Sequence, residues 1–360
     1  MPDEPTPAGG GSGAGRAFSL QRYGMMAFGN LFTARQKLAL HSIGDRVRAM
    51  GRDPGQMSLR ECAAIVASRC ADYNSAYARW APSGEFVGNT FGRQALGPSW
   101  EFCEPAIFQE ESGSYYGAVE WVSRVAELQG SAVANAAQVQ PADACHAPLP
   151  DLASDVWFTD PPYYDAVPYS DLSDYFFVWL KRAMPDHPLL RDVTDPGNPL
   201  TPKNSEAVQD ETKIGDGRPK DRAFFEQAMA QAFSEGRRLL KDEGVGSVVF
   251  AHKTTEGWEA LLAGMIAGGW TITGSWPIAT ERPGRLRSQE SAALATSVHL
   301  VCRPRPDDAP VGDWGEVLRE LPERVGDWME RLQGRAFVEQ ILFLPASGRP
   351  WRFTVGTQRS

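Results

Sequence analysis

Only five cysteines occur in this 360-residue chain, and no two of them form a C-x-x-C pair. The scatter of Cys62, Cys70, Cys103, Cys145 and Cys302 fits neither a zinc ribbon nor a disulfide framework. They read as reduced, mostly buried small hydrophobes, and no metal site is expected. Long apolar runs are also lacking, since nothing approaches the roughly 18 uncharged apolar residues that a membrane span requires. The opening stretch "MPDEPTPAGGGSGAGRAF" has neither the basic nor the apolar region of a secretory signal, so the expected location is the cytoplasm. Positive charge is scarce too: 36 Lys and Arg against 45 Asp and Glu give a formal net charge of -9. That argues against nonspecific, charge-driven nucleic-acid binding, which needs a field that attracts phosphate. A local basic strip is still able to position a duplex. Arg282, Arg285 and Arg287 in "TERPGRLRSQE" are the best local candidate, weighed against a solvated loop.

What the chain does contain is close to average globular usage, 42% hydrophobic and 22% charged residues. Residues 1–17 form a Pro/Gly/Ala/Ser tract with little to bury, and disorder is expected there. Its "AGGGSGAG" is not a phosphate loop, because no apolar strand precedes it. Residues 18–110 read as a helical region. Leu40, Ile43, Val47 and Met50 share one stripe, with His41 as a lone flank histidine. Leu59, Cys62, Val66, Cys70, Tyr73, Tyr77 and Trp80 mark a second helix that Ser58 and Glu61 would cap.

From residue 111 to 305 the pattern becomes alternating helix and strand. "GAVEWVSRVAELQ" reads as a helix, "AVANAAQV" as a weak strand ending near Asp143, and "DVWFTD" as a strong strand ending at Asp160. Leu172, Tyr175, Phe176, Trp179 and Leu180 then share a helical face, with Ser170 or Asp171 as its cap. A polar loop follows over 185–219, then a helix over 221–240 that Gly244 would close. The remaining elements are the strand "VGSVVFAHK", a helix carrying Trp258 to Ile266, and the strands "WTITGSW" and "TSVHLVCR". This order argues for a doubly wound α/β sheet whose last two strands pair antiparallel at an edge. A linker, an amphipathic helix (Trp314, Leu318, Leu321, Val325, Trp328, Leu332) and a tail make up 306–360.

The unusual residues cluster in "TDPPYYDAVPYSDLSDYFF", directly after the strand ending at Asp160. Ligands of open α/β sheets bind at the carboxyl ends of strands, so this is where a site belongs. The chemistry that fits is attack by an exocyclic base amine, a poor nucleophile because its lone pair is delocalised into the ring. The Asp160 carboxylate and the Pro161 carbonyl would accept both of its N–H bonds and favour the pyramidal amine of the transition state. Pro161 and Pro162 would fix the backbone, and Tyr163 would offer a ring face to an extruded base. The competing reading is plain turn chemistry, which Asp-Pro-Pro also suits.

The same segment, "TDPPYYDAVPYSDLSDYFFVWLKR", resembles the catalytic segment of the large DUF1156-type, zinc-ribbon-containing adenine-specific DNA methylases. "RYGMMAFGNLFTARQKLAL", "ADYNSAYARW", "NTFGRQAL", "TPKNSEAV", "GWEALLAGMIAGGWTITGSWPIATE" and "TSVHLVCRPR" look like further blocks of that family in family order, over roughly residues 18–305. The resemblance implies a Rossmann-like, S-adenosylmethionine-dependent methyltransferase sheet and methyl transfer to adenine N6 in DNA. It gives Asp160, Pro161, Pro162 and Tyr163 the catalytic roles above. Asp143 matches an acidic contact to the cofactor, and Thr33 in "FGNLFTARQ" loosely matches a cofactor-pocket block in which Ala34 replaces a proline. Lys203, Glu206 and Glu281 stand as substrate-side contacts, against solvated charge. A link to restriction-modification or phage defence is implied as well.

Three family features are missing from the chain: the D-P-F-x-G-x-G cofactor motif, the acidic ribose-binding residue and the cysteine-rich ribbon. The first two belong to the first two strands of the sheet, which would lie beside the strand ending at Asp160. The chain therefore looks like the C-terminal part of a split or truncated enzyme whose partner chain supplies the cofactor-binding half. Alternatives stay open at this point: N4-cytosine or RNA-base methylation, and a noncatalytic remnant that binds DNA or a partner.

Overall fold

The computed structural model describes residues 1–10, 17–279 and 296–333, apart from Ser83, Pro98, Val133, Ala134, Ala136, Asp307 and Val311. Its regular elements are α1 (Ala34–Arg48), α2 (Pro54–Tyr73), β1 (Arg79–Ala81), β2 (Phe86–Gly88), α3 (Tyr115–Ala132), β3 (Ser154–Thr159) and α4 (Tyr169–Ala183). They continue with β4 (Asp210–Gly215), β5 (Arg218–Lys220), α5 (Arg222–Leu239), β6 (Leu240–Phe250), α6 (Thr255–Ala267), β7 (Trp270–Ala279), β8 (Thr296–Pro304) and α7 (Trp314–Gln333). The fold class is α/β with a mixed four-stranded sheet. Two compact units share the chain: Met1–Pro141 with Val167–Glu206 and Asp210–Arg218, and Ala142–Ala166 with Ala207–Gln209 and Pro219–Ser360.

The first unit is helical around one apolar core. Leu40, Ile43 and Val47 of α1, Ala64, Val66 and Cys70 of α2, and Tyr175, Val178 and Trp179 of α4 meet there with Phe28 and Phe32. Tyr175 is fully buried, and its hydroxyl donates to the Ala71 carbonyl at 2.7 Å while its ring stacks on Phe32. Arg60 of α2 is buried and forms no ion pair among the described residues. Its guanidinium donates instead to the carbonyls of Val47 (3.2 Å) and Ala183 (3.2 Å), at the C-terminal ends of α1 and α4. Those ends carry partial negative charge and orphan carbonyls, which is what makes a buried cation tolerable there.

The second unit is built on the sheet, in the order β3-β6-β8-β7. β3 runs parallel to β6, and β8 lies antiparallel between β6 and β7. Phe225, Met229 and Phe233 of α5 and Leu261, Leu262 and Met265 of α6 cover one face. Trp157 of β3 faces α5, stacks on Trp270 at 5.0 Å, and lies so close to Gly236 that a Cβ there would sit 2.3 Å from its ring. On the opposite face Val156 and Phe158 are 61% and 63% exposed, and Trp276 and Ile278 of β7 are exposed too. Among the described residues β3 pairs with β6 alone, so its outer edge carries no partner strand.

Several expectations are corrected. Residues 2–6 are anchored: Pro2 and Glu4 carbonyls accept N–H bonds from Gly29 (2.7 Å) and Phe28 (3.0 Å), and Glu4 pairs with Arg182 and Lys181. Paired acidic charge holds a stretch that composition alone would leave loose. Residues 11–16 lie outside the described ones. α2 starts at Pro54 because Asp53 accepts the Gln56 N–H, ahead of the Ser58/Glu61 pattern. It ends at Tyr73, with Tyr77 beyond it and Trp80 in β1. Among the described residues the expected strand "AVANAAQV" does not form: Ala132 ends α3, and residues 137–143 have no regular structure and little burial. A run of small alanines has too little apolar area to hold a strand in a sheet.

Gly244 does not stop a helix. α5 ends at Leu239 because Leu240 turns extended and starts β6 directly. Neither Ser170 nor Asp171 caps α4 with its own side chain; Glu206 does so, accepting from the Ser170 N–H (2.8 Å) and hydroxyl (2.5 Å). α4 packs its apolar face on α1 and α2 and falls in the first unit. On α7 the stripe residues Trp314, Leu318 and Val325 are exposed, while the side chains of Trp328 and Leu332 lie outside the described residues. Glu281, Arg282, Arg285, Arg287 and the tail from 334 lie outside them as well.

Candidate active site at the carboxyl end of the first parallel strand

β3 is an apolar strand that stops at Asp160, because the two prolines behind it cannot donate ladder hydrogen bonds. The chain then closes a tight turn. The Tyr164 N–H donates to the Pro162 carbonyl (3.0 Å), the Ala166 N–H to the Tyr163 carbonyl (2.9 Å), and the Gln209 N–H to the Tyr164 carbonyl (3.1 Å). Three successive carbonyls are thus spent on the loop itself. The Pro161 carbonyl just before them receives no hydrogen bond, and the exposed Asp160 carboxylate enters no hydrogen bond or ion pair among the described residues. The turn thus leaves its first aspartate and first carbonyl unspent, with Asp160 exposed and Pro161 buried.

The two tyrosines part company. Tyr163 is half-buried and meets the Phe250 ring edge-on at 5.6 Å. Tyr164 adopts a left-handed backbone, φ +52, which costs a non-glycine residue roughly 1–2 kcal/mol. The kink buries its ring against Phe225 and His252, both edge-on, and its hydroxyl donates to Glu256 Oε1 at 3.0 Å. Burial, then the Glu256 carboxylate, push the Tyr164 hydroxyl well above the usual phenol range. It is a fixed donor, not an acid.

His252 follows β6 as Asp160 follows β3, so the two stand at the carboxyl ends of adjacent parallel strands. Its Nδ1 accepts the Thr254 N–H at 3.2 Å, which leaves the proton on Nε2, and Nε2 lies 3.2 Å from Asp165 Oδ1. The imidazole is buried, and Gly257 admits it, since a Cβ there would sit 2.3 Å from Nδ1. Tyr164 and Asp165 therefore pin the far end of the loop to α6 and to the end of β6. Sequence reasoning did not single out Tyr164, Asp165, His252 or Glu256. The signal available was position: "FAHKTTE" occupies the same place after β6 that "TDPPYYD" occupies after β3.

No family model, curated protein or solved structure matches this chain. The site therefore stands on its own geometry. Asp160, Pro161, Pro162 and Tyr163 are contiguous on the one loop. Asp143 is not at a strand end: it sits in a turn where its carboxylate accepts the Cys145 N–H at 2.9 Å, next to chain that bonds to α5. Nothing among the described residues joins it to Asp160. Thr33 belongs to the first unit, where its hydroxyl accepts the Gln36 N–H at the start of α1 and donates to Glu104 (3.1 Å). Both candidate cofactor contacts are engaged locally, each within its own unit. Lys203 and Glu206 are engaged as well, with Asp174 (2.5 Å) and Ser170. No group of three or more His, Cys, Asp or Glu among the described residues could hold a metal, and no described helix is long and apolar enough to cross a membrane.

Proposed function

We propose that this chain is the catalytic-loop half of an S-adenosylmethionine-dependent DNA amino-methyltransferase acting on adenine N6. One observation carries the reading: Asp160 and the Pro161 carbonyl are unspent acceptors on consecutive residues of a loop whose next three carbonyls are all consumed. A primary amine with two N–H bonds is what such a pair binds. The bond to the carboxylate is charge-assisted and contributes about 1.5–3 kcal/mol, the one to the neutral carbonyl about 0.5–1.5 kcal/mol. They strengthen as the nitrogen pyramidalises and its N–H bonds acquire positive charge, so they act on the transition state more than on the ground state. Tyr163, held edge-on by Phe250, supplies the ring against which the extruded base stacks.

The proposed partner is a second chain that brings the glycine-rich cofactor loop and its strands. Parallel sheets are normally covered on both faces, and an exposed strand edge is a template for pairing. The unpaired outer edge of β3 and the exposure of Val156 and Phe158 favour a missing neighbour at that position. The four-strand order is compatible with a Rossmann-like sheet that continues there. The engaged state of Asp143 and Thr33 fits the same view, because cofactor contacts then come mainly from the other chain.

The test is transfer of labelled methyl from S-adenosylmethionine to DNA by this chain, alone and together with the product of the adjacent reading frame. N6-methyladenine is expected from the pair. Absence of methylated base with every adjacent product would overturn the reading. By calorimetry the isolated chain should bind S-adenosylmethionine weakly, and tight binding would refute its incompleteness.

A further inference from the structure

A cleft in the first unit is lined by a residue whose buried donor has no partner among the described residues. Arg35, Gln36 and Ala39 of α1 line it together with Asn74, just past α2, and the segment 104–107. Gln36 is 3% exposed, and its Oε1 accepts the Thr33 N–H at 2.8 Å, closing the capping box of α1. That N–H requires an oxygen, so the amide cannot be turned round and Nε2 is the end left over. Nε2 has no hydrogen-bond partner among the described residues. A buried donor left in this state costs about 1–3 kcal/mol, which a ligand acceptor would recover.

The rest of the lining narrows the ligand. Asn74 is 1% exposed and gives its amide hydrogens to the carbonyls of Cys70 (2.9 Å) and Gly113 (3.0 Å), which leaves its side-chain oxygen as an acceptor. Arg35 and Glu104 form a bidentate pair (3.0 and 2.9 Å), and Glu104 also accepts from Thr33. Their charges cancel, so an anion would meet Glu104 and a cation Arg35, and neither gains. Ala39, Pro105, Ala106 and Ile107 complete the lining with apolar surface. The cavity volume is about 320 Å³, at the lower end of the range of small-molecule sites.

We infer that this cleft binds a small, neutral, planar ligand that offers an acceptor to Gln36 Nε2 and a donor to Asn74, the pattern of an adenine edge or a primary carboxamide. Gln and Asn amides read adenine edges through the same donor and acceptor atoms elsewhere. The site does not depend on methyl transfer at the Asp160 loop, and its test uses binding alone.

The probes are adenosine and nicotinamide, titrated into the full chain and followed by ligand-observed NMR. Saturable binding of at least one probe is expected. Gln36→Glu keeps an oxygen for the Thr33 N–H, so the capping box survives, but it replaces the orphan donor with an acceptor. Affinity should fall by about 10-fold or more, the equivalent of one hydrogen bond lost to repulsion. Ala106→Trp, at an exposed position, should block the cleft whether or not Gln36→Glu folds. No saturable binding of either probe up to its solubility, or binding unchanged in a folded variant, would overturn the assignment.

Discussion

Two proline-containing turns in this chain use their first aspartates in opposite ways. In "RDVTDPGNP" the carboxylate of Asp192 makes the turn, accepting from the Thr194 N–H (2.8 Å) and hydroxyl (2.7 Å), the Asp195 N–H (3.1 Å) and Asn198 Nδ2 (2.9 Å). Burial alone would raise that carboxyl, but hydrogen bonds from Asn198 and Thr194 outweigh it and hold it below the ordinary carboxylate range. In "TDPPYYDA" the turn closes through backbone groups and Tyr164, and Asp160 contributes nothing to it. Turn chemistry therefore explains the first aspartate fully and the second not at all. An acidic residue at a strand end that the fold does not use is the one to assign to chemistry.

The comparison is open to attack at several points. The frame beneath the Asp160 loop should be the least forgiving. Gly236→Ala drives a methyl into the Trp157 ring and should cost about 3 kcal/mol by urea unfolding. Gly197→Ala in the Asp192 loop meets only an Asp195 oxygen at 3.3 Å and should stay within about 0.5 kcal/mol. Comparable losses at both sites would mean that the two loops are supported alike.

Asp192→Ala should destabilise by about 2–3 kcal/mol, because it strands several donors at once, whereas Asp160→Ala should leave stability within about 0.5 kcal/mol. The Asp192 contribution also has a pH signature. Its folded pKa lies below the unfolded value near 3.8, so the stabilisation is present above that pH and is lost as pH falls through the folded pKa. Stability of Asp192→Ala measured across pH 2–5 should therefore lack that part of the wild-type acid loss. A smaller loss belongs to Tyr164→Phe, which removes the bond to Glu256 and should cost about 1 kcal/mol in the same unfolding assay.

Much of this was legible in the sequence where periodicity and burial agree. β3, β7 and β8 follow their apolar runs, and α5 and α6 follow their apolar faces. The Asp160 loop was legible too, since a carboxylate and two prolines behind an apolar strand are unusual together. The misses share a cause, which is that long-range partners outvoted local pattern. Glu206 caps α4 from 36 residues away, and Lys181 and Arg182 anchor Glu4. Leu240 enters the sheet before Gly244 has a chance to end the helix. His252 escaped notice because a single histidine after a strand says nothing until the neighbouring strand brings Asp165 to it.

The central claim is that Asp160 is spared from the fold in order to hold an amine. The most direct measurement is methyl transfer to DNA by the partnered chain, wild type against Asp160→Ala, with melting curves of both. A loss of transfer by at least about 100-fold with melting unchanged is the expected result. Retained transfer in the folded variant would contradict it.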